Sequence, residues 1–581
     1  MPEINSSNSD LYIIDGIGPF YSMAGEDKKF NWSKISFPEF EKNGLPENEK
    51  ARQILKDFES FALKVSEMGY NSVILDDLAH LANYFFYPES LRVLINYRRK
   101  FFKKIFTTAA EYGLKVFLTT DIMFFNYYIE NFTGGKDSKI LKVLLMGFAQ
   151  IFEDFPEVAG FIVRIGESDG VDVQDDFKSR LIIKDHKKVR KYLRFMIPLF
   201  EKYNKLLIFR TWTVGAYPIG DLIWNKKTFR RCFSGFKSSN FIISIKFGET
   251  DFFRYLELNP TFFETGCGKI IELQSRREYE GFGEFFSYTG YDYCNYREKL
   301  KDCKEIRGMS VWCQTGGWSH FNRLTFLQNS SLWNEINTFT SIKIFRDGLD
   351  SEDSLREYSK KRFPGKDPEH IVRLAELSDR AVKKIWYMPE YSRQRFYFRR
   401  LRIPPLIWVF WDTIIINHTM RKVLRRLIKE EDRKLSIKEA FSELENIKKM
   451  RYEAEELGLD TSGFDFMYDT FFIIALAREY FLETWNPEIM ERIDAAVVRY
   501  REKYPDGFRV EKDYSPFRVR RLLLKALFWI SLRKEERYRW VDRVFLIRVS
   551  GWIFRILTYW KSRNVPAFAR KQAMGINHIF K

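Results

Sequence analysis

The first part of the chain alternates short runs of β-branched and aliphatic residues with longer amphipathic stretches. Short apolar runs bounded by glycine or charge read as buried strands. Apolar positions recurring every three or four residues read as helices. Leu11, Ile13 and Ile14 open the first strand, which ends at Asp15 before Gly16 and Gly18. Residues 46–68 form the first helix, with Ile54, Leu55, Phe58, Phe61, Ala62 and Val65 at helical spacing and Gly69 as the stop. The alternation continues through strands at 72–75, 115–120, 158–165 and 206–210, with helices at 89–112, 138–152 and 184–203 between them. Strand signals at 242–245, 269–271 and 309–313 bring the total to eight. Eight such signals with interposed helices predict an α/β fold, a (β/α)8 TIM barrel over residues 1–345. No repeat of solenoid length is apparent.

Beyond Asp347 the strand signals fade. Amphipathic patterns at 354–362, 368–385, 406–429, 437–457, 465–483 and 487–504 predict a mostly α-helical domain over 346–515. Such a domain could serve homodimerisation, though nothing in the sequence requires it. Residues 516–581 change character again, interleaving Arg and Lys with Leu, Phe, Ile and Trp. This tail holds 16 Lys/Arg against 3 Asp/Glu, so it carries most of the chain's net charge of +18. A basic, aromatic amphipathic stretch fits an anionic membrane surface. The other readings are packing of its apolar face on the barrel, and docking on a protein or polyanionic glycan. No nucleic-acid-binding fold is recognisable, and nucleic acid is not expected as a partner.

At 581 residues with 45% hydrophobic residues, the chain is long and apolar enough for large packed cores. Aromatic residues reach 17%, which suits cores first and carbohydrate platforms second. Five scattered Cys without a CxxC pair argue against a disulfide framework and against a zinc ribbon. The N-terminus lacks the basic and apolar regions of a secretory signal, and no run of about 20 apolar residues could span a bilayer. The expected location is cytoplasmic, peripheral to the inner membrane face if the tail binds lipid. Six His without HExxH spacing predict no metal site, and without a Walker or Rossmann glycine pattern no cofactor is expected.

The candidate chemistry gathers at strand ends, which in a parallel barrel face the active site. The sixth strand runs into Lys246 and Asp251, and the seventh into Glu272, Gln274 and Glu278. The fourth is followed by Arg164-Ile-Gly-Glu167-Ser-Asp169-Gly170, and the second by Asp76, Asp77 and His80. Glycosidic hydrolysis commonly uses two carboxylic functions, one to protonate the leaving oxygen and one to activate water or attack. Taken alone, Glu-Ser-Asp-Gly is also good turn chemistry.

The pattern Ile245-Lys246, four residues, Asp251-Phe252, then Glu272-Leu-Gln274, three residues, Glu278-Tyr279, resembles the glycoside hydrolase family 67 α-glucuronidases. The segment from Ile13 to Phe37 resembles the opening of that family's barrel, with Phe20-Tyr21 in place of an acidic–arginine pair. The resemblance covers roughly residues 10–340 plus helical character to about 510, without the family's small N-terminal domain. It implies that Asp251 and Glu278 together activate the hydrolytic water. Glu167 would be the acid, with Asp169 as the alternative. Arg164, Arg210 and Lys246 would surround a uronic acid carboxylate, as arginine can do bidentately. The same three cations could instead pair internally with Glu167, Asp251 and Glu278. Asp76 and Asp77 stand where the family has asparagines, and Glu272 would orient its neighbours. Trp212, Trp312 and Trp318 could stack on sugar faces or pack in loops, and His80 and His320 could line the pocket.

The expected activity is therefore hydrolysis, by inversion, of a glucuronic-acid-type sugar from an acidic oligosaccharide or polysaccharide. Two alternatives stand beside it: a barrel glycosidase for another sugar in surface-polysaccharide metabolism, and a non-catalytic carbohydrate-binding or scaffold protein at a membrane.

Overall fold

The structure is a computed structural model that describes residues 10–16, 41–42, 45–46, 48–166, 177–313, 332–515, 521–546 and 552. Eight parallel strands close into a barrel: β1 (Leu11–Asp15), β2 (Ser72–Leu75), β3 (Lys115–Asp121), β4 (Val158–Arg164), β5 (Leu206–Arg210), β6 (Phe241–Lys246), β7 (Gly268–Gln274) and β8 (Ile306–Trp312). Each pairs with its neighbour in sequence, and β1 closes the ring by pairing with both β8 and β2. The strands are apolar on both faces because side chains fill the barrel inside and helices cover it outside. This burial is what made the strand runs short and continuously apolar.

Closure demands close backbone approach at one seam. Gly308 has φ +123°, and a Cβ there would lie 1.9 Å from the Leu11 carbonyl oxygen. It sits in the register shift between the pairs Lys269–Ile306 and Ile271–Met309, where β8 carries one more residue than β7. Only glycine fits that position without displacing backbone.

The outer layer includes α1 (Asn48–Met68), α2 (Glu89–Glu111), α3 (Asp137–Asp154), α4 (His186–Lys202), α5 (Lys226–Phe233), α6 (Gly290–Leu300) and α7 (Leu332–Phe345). No α-helix joins β6 to β7. That connection is a loop with a single 3₁₀ turn at Pro260–Phe263, which frees its early residues for the barrel mouth.

A helical region follows: α8 (Ser351–Arg362), α9 (Glu369–Ala381), α10 (His418–Leu427), α11 (Glu430–Glu456), α12 (Ser462–Leu482) and α13 (Pro487–Lys503). The single helix expected over 406–429 is not there. Strands β9 (Val409–Phe410) and β10 (Thr413–Asn417) occupy its first half. The β-branched run Thr413 to Ile416 pairs in parallel with β11 (Arg509–Asp513), so tertiary pairing overrides the helical pattern. Asn417 then starts α10 by accepting the Met420 N–H at 2.7 Å. Two further helices, α14 (Arg521–Ser531) and α15 (Trp540–Leu546), lie in the basic tail.

The barrel and the helical region are joined by a buried ionic cluster. Arg254, 2% exposed in the β6–β7 loop, donates to Glu280 at 3.2 Å, to Asp292 of α6 at 2.7 Å and to Asp379 of α9 at 3.2 Å. Arg277 also donates to Glu280, and Tyr387 beyond α9 donates to it at 2.6 Å. Burial alone would raise the Glu280 carboxyl, but the guanidiniums of Arg277 and Arg254 outweigh it and hold it at about 2. Its stabilising contribution is present above the ordinary carboxylate range and is lost as pH falls through about 2.

Arg254→Met should cost about 3–5 kcal/mol of stability, because it removes the one cation shared by Glu280, Asp292 and Asp379 and leaves Arg277 and Lys383 to neutralise three carboxylates. Denaturant titration measures this. A loss below about 1 kcal/mol would show that the cluster does not hold the two regions together.

Candidate active site

Alternate residues of β6 and β7 are polar toward their C-terminal ends: Ser244 and Lys246, then Glu272 and Gln274. In a strand, alternate positions share a face. Ser244 donates to Glu272 at 2.6 Å and Arg210 donates to both Glu272 oxygens at 3.0 and 2.9 Å, so these side chains meet. The register places Glu272 beside both Lys246 and Ser310. A buried polar layer thus tops the otherwise apolar barrel.

The three cations at the ends of β4, β5 and β6 are each paired with a carboxylate. Arg164 meets Asp121 of β3 at 2.8 Å, Arg210 meets Glu272, and Lys246 forms an ion pair with Asp251. All three are at most 7% exposed. Of the internal partners expected for them, Asp251 is found with Lys246. Asp121 and Glu272 are the partners of Arg164 and Arg210 among the described residues.

Trp212 and Trp312 are buried against these cations. Lys246 Nζ lies 3.6 Å from the Trp212 ring centre and 4.4 Å from that of Phe252, and the Arg210 guanidinium lies 4.4 Å from that of Trp312. Cation–π attraction of this kind holds the charged ends in place.

Asp251 and Glu278 are brought together by the loops after β6 and β7. Asp251 accepts from Lys246, from the Phe252 N–H at 3.0 Å and from the Tyr279 hydroxyl at 2.9 Å. Glu278 is 1% exposed. Its carboxyl accepts from Gln274 Nε2 at 3.2 Å and from Trp411 Nε1 at 2.8 Å, while its N–H donates to Gln274 Oε1 at 2.9 Å. Burial first, then the charge of Asp251, push Glu278 up to about 8, against the opposing pull of Lys246 and Trp411. Glu278 therefore keeps its proton at neutral pH.

The remaining expected residues divide. Asp76 is buried and accepts from Thr119 Oγ1 of β3. Asp77 caps the short helix Leu78–Leu81, accepting the His80 N–H at 3.1 Å, with its Oδ1 2.7 Å from His80 Nδ1. Glu167, Asp169, Phe20, Tyr21, Trp318 and His320 lie outside the described residues. Among the described residues, no group of three or more His, Cys, Asp or Glu is placed to hold a metal ion, and no helix is long and apolar enough to cross a membrane.

Four contributors to the site were not among the candidate residues. Asp121 and Ser244 were readable only as alternating polar positions in apolar strands. Tyr279 follows Glu278 directly. Trp411 comes from the turn between β9 and β10, more than a hundred residues downstream, with φ +52°. No local pattern announces it.

No family model matches the chain, and no curated protein matches it. Among solved structures, a GH138 enzyme targeting pectin rhamnogalacturonan II is similar over 86% of this chain, with TM-score 0.51 and 11% identity. The alignment spans 62% of that protein's own length. At this identity the likeness is one of fold: the closed eight-stranded parallel barrel with its flanking helices. A Thermobaculum terrenum O-GlcNAc hydrolase aligns over 88% of this chain and 95% of its own at 11% identity, with TM-score 0.37.

Two measurements check the Glu278 environment. Because its value in the folded protein lies above the ordinary 4.5, stability should fall as pH rises toward and through about 8. Glu278→Gln should therefore be more stable than wild type at about pH 9 and little different at about pH 4, as thermal melts at the two pH values would read. Trp411→Phe removes a hydrogen bond to the anion and should raise the Glu278 titration by about one unit or more. Carboxyl titration by isotope-edited NMR measures that directly, and a downward shift would contradict the assignment.

Proposed function

We propose that this chain is a glycoside hydrolase that uses the Asp251–Glu278 pair to activate water. The observation that carries this reading is the juxtaposition of these two buried carboxyls at the barrel mouth. A buried Glu278 with its titration at about 8 sits beside an Asp251 oriented by Lys246 and Tyr279, at the strand ends where barrel enzymes place their chemistry. In this reading Asp251 takes a proton from the attacking water, and the Glu278 carboxyl fixes that water by hydrogen bonding. Glu167, or Asp169 in its stead, delivers a proton to the leaving oxygen. The C–O bond to the leaving group breaks as the water oxygen bonds the anomeric carbon, giving inversion.

We further propose an acidic, glucuronic-acid-type sugar of an oligosaccharide or polysaccharide as the substrate. Cations at three successive strand ends, Arg164, Arg210 and Lys246, support this, as do the motifs that resemble the family 67 α-glucuronidases. The fold is shared with an enzyme targeting pectin rhamnogalacturonan II. A second reading, a barrel glycosidase for another sugar, is favoured by one observation: each of the three cations already faces a carboxylate of the chain. A cytoplasmic location is consistent with five Cys that form no disulfide.

The test is proton NMR of the protein with α- and β-uronyl oligosaccharides and neutral controls. Release of a β-configured uronic acid from an α-linked substrate is expected. Asp251→Asn should lower the rate by about 100-fold or more, and Glu167→Gln should abolish turnover if Glu167 is the acid. Turnover surviving Glu167→Gln and lost in Asp169→Asn would move the acid to Asp169. The rate should also fall above about pH 8, as Glu278 loses its proton. Turnover of the neutral controls alone would select the second reading, and silence across the panel would remove the proposed activity on these sugars.

A further inference from the structure

Residues 521–546 of the tail are fastened to the body by polar contacts, while large apolar side chains among them face solvent. Arg533 and Tyr397 exchange backbone hydrogen bonds at 2.8 and 3.0 Å, and the Tyr538 hydroxyl donates to Asp221 at 2.6 Å. The Arg539 guanidinium donates to the Trp529 and Ile530 carbonyls at 2.8 and 3.1 Å and to Asp542 at 3.1 Å, tying the end of α14 to α15. Against this anchorage, Leu522, Trp529, Trp540 and Trp552 are 79%, 71%, 79% and 62% exposed. Leu522, Lys525 and Trp529 follow one another at spacings of three and four, so they form one stripe on α14. Trp540 and Val544 do the same on α15.

Between α14, the segment after it and α10 lies a cavity of about 630 Å³. Six of its thirteen lining residues are Arg or Lys, and Glu535 is the only acid among them. Arg426, Lys525, Lys534 and Arg537 form no ion pair among the described residues. Arg533 is 2% exposed, yet its Nε and Nη1 make no hydrogen bond there, and the nearest carboxylate oxygen, on Asp542, lies 3.8 Å from Nη1. Phe396, Phe528 and Trp529 share the wall with these cations. A built cationic cavity thus opens beside exposed apolar stripes.

We infer that this cavity seats the phosphate headgroup of an anionic phospholipid, while the stripes of α14 and α15 enter the interfacial layer of the bilayer. The cations supply what a phosphate requires, several donors converging from different elements. Exposed Trp at the level of Arg and Lys is the arrangement of an interfacial helix. A glycan or a nucleic acid would also meet the cations and stack on Trp529, but would leave Leu522 and Val544 facing water. This inference is independent of the glycosidase reading.

The experiment uses the full chain, sedimented with vesicles of phosphatidylglycerol in phosphatidylcholine and with vesicles of phosphatidylcholine alone. Binding to the anionic vesicles only is expected, weakening at high salt. Each basic side chain near an anionic bilayer is worth about 1 kcal/mol, about fivefold in affinity. Combined Arg426→Gln, Lys534→Gln and Arg537→Gln should therefore weaken binding by about 100-fold. Leu522→Ser with Trp529→Ser should weaken it at unchanged melting temperature. On the unmodified protein, glycerol phosphate should compete, which identifies the cavity as the headgroup seat even if a variant folds poorly. No vesicle binding, equal binding to phosphatidylcholine alone, or absence of competition would overturn the inference. So would a preference for polygalacturonate or an oligonucleotide over vesicles.

Discussion

A guanidinium taken out of water must be surrounded by oxygens, and Arg254 finds them on three separate parts of the chain. Its partners are Glu280, Asp292, Asp379, the Ser287 hydroxyl and the Tyr288 carbonyl. They belong to the loop between β7 and α6, to α6 itself and to α9. An uncompensated buried charge costs several kcal/mol, so these elements can be displaced only together. The constraint fixes the loop after β7, and with it Arg277, whose φ is +60° just before Glu278. The geometry of the candidate site therefore depends on a cluster that takes no part in its chemistry.

The same accounting of charge explains the barrel mouth. Arg164, Arg210 and Lys246 each face a carboxylate, on β3, on β7 and in the β6–β7 loop respectively, and aromatic rings cover Arg210 and Lys246. Glu278 differs from the other carboxyls of this layer. It is met by the neutral donors Trp411 and Gln274, and Lys246 reaches Asp251 instead. Burial and the charge of Asp251 outweigh the pull of Lys246 and of the Trp411 and Gln274 dipoles, so this carboxyl keeps its proton to about 8.

The helical region is part of the site as well as a neighbour of it. The turn between β9 and β10 carries Trp411 to Glu278, and Trp386 after α9 donates to the Tyr279 carbonyl at 2.9 Å beside it. The tail is tied to the same surfaces: Arg395 joins Glu536 of the tail to Glu249 in the β6–β7 loop, two residues before Asp251. Chain segments far apart in sequence converge on one mouth because the barrel presents all its C-terminal strand ends on one side.

Much of this was legible in the chain itself. The strands at Ser72–Leu75 and Leu206–Arg210 fall where their apolar runs fall, because a strand buried on both faces must be apolar throughout. Lys246, Asp251, Glu272 and Glu278 could be picked out because polar residues at the ends of such strands have nowhere to go but the mouth. The run from Thr413 to Ile416 could not be read correctly, since along its whole length it pairs with Arg509–Asp513, nearly a hundred residues away. Nor could the choice of ionic partners. The sequence determined which strand ends carry charge. The tertiary structure decided which acid each cation neutralises, and so which carboxyl keeps its proton, because electrostatic energy in a buried layer depends on separations of a few ångströms that no local pattern encodes.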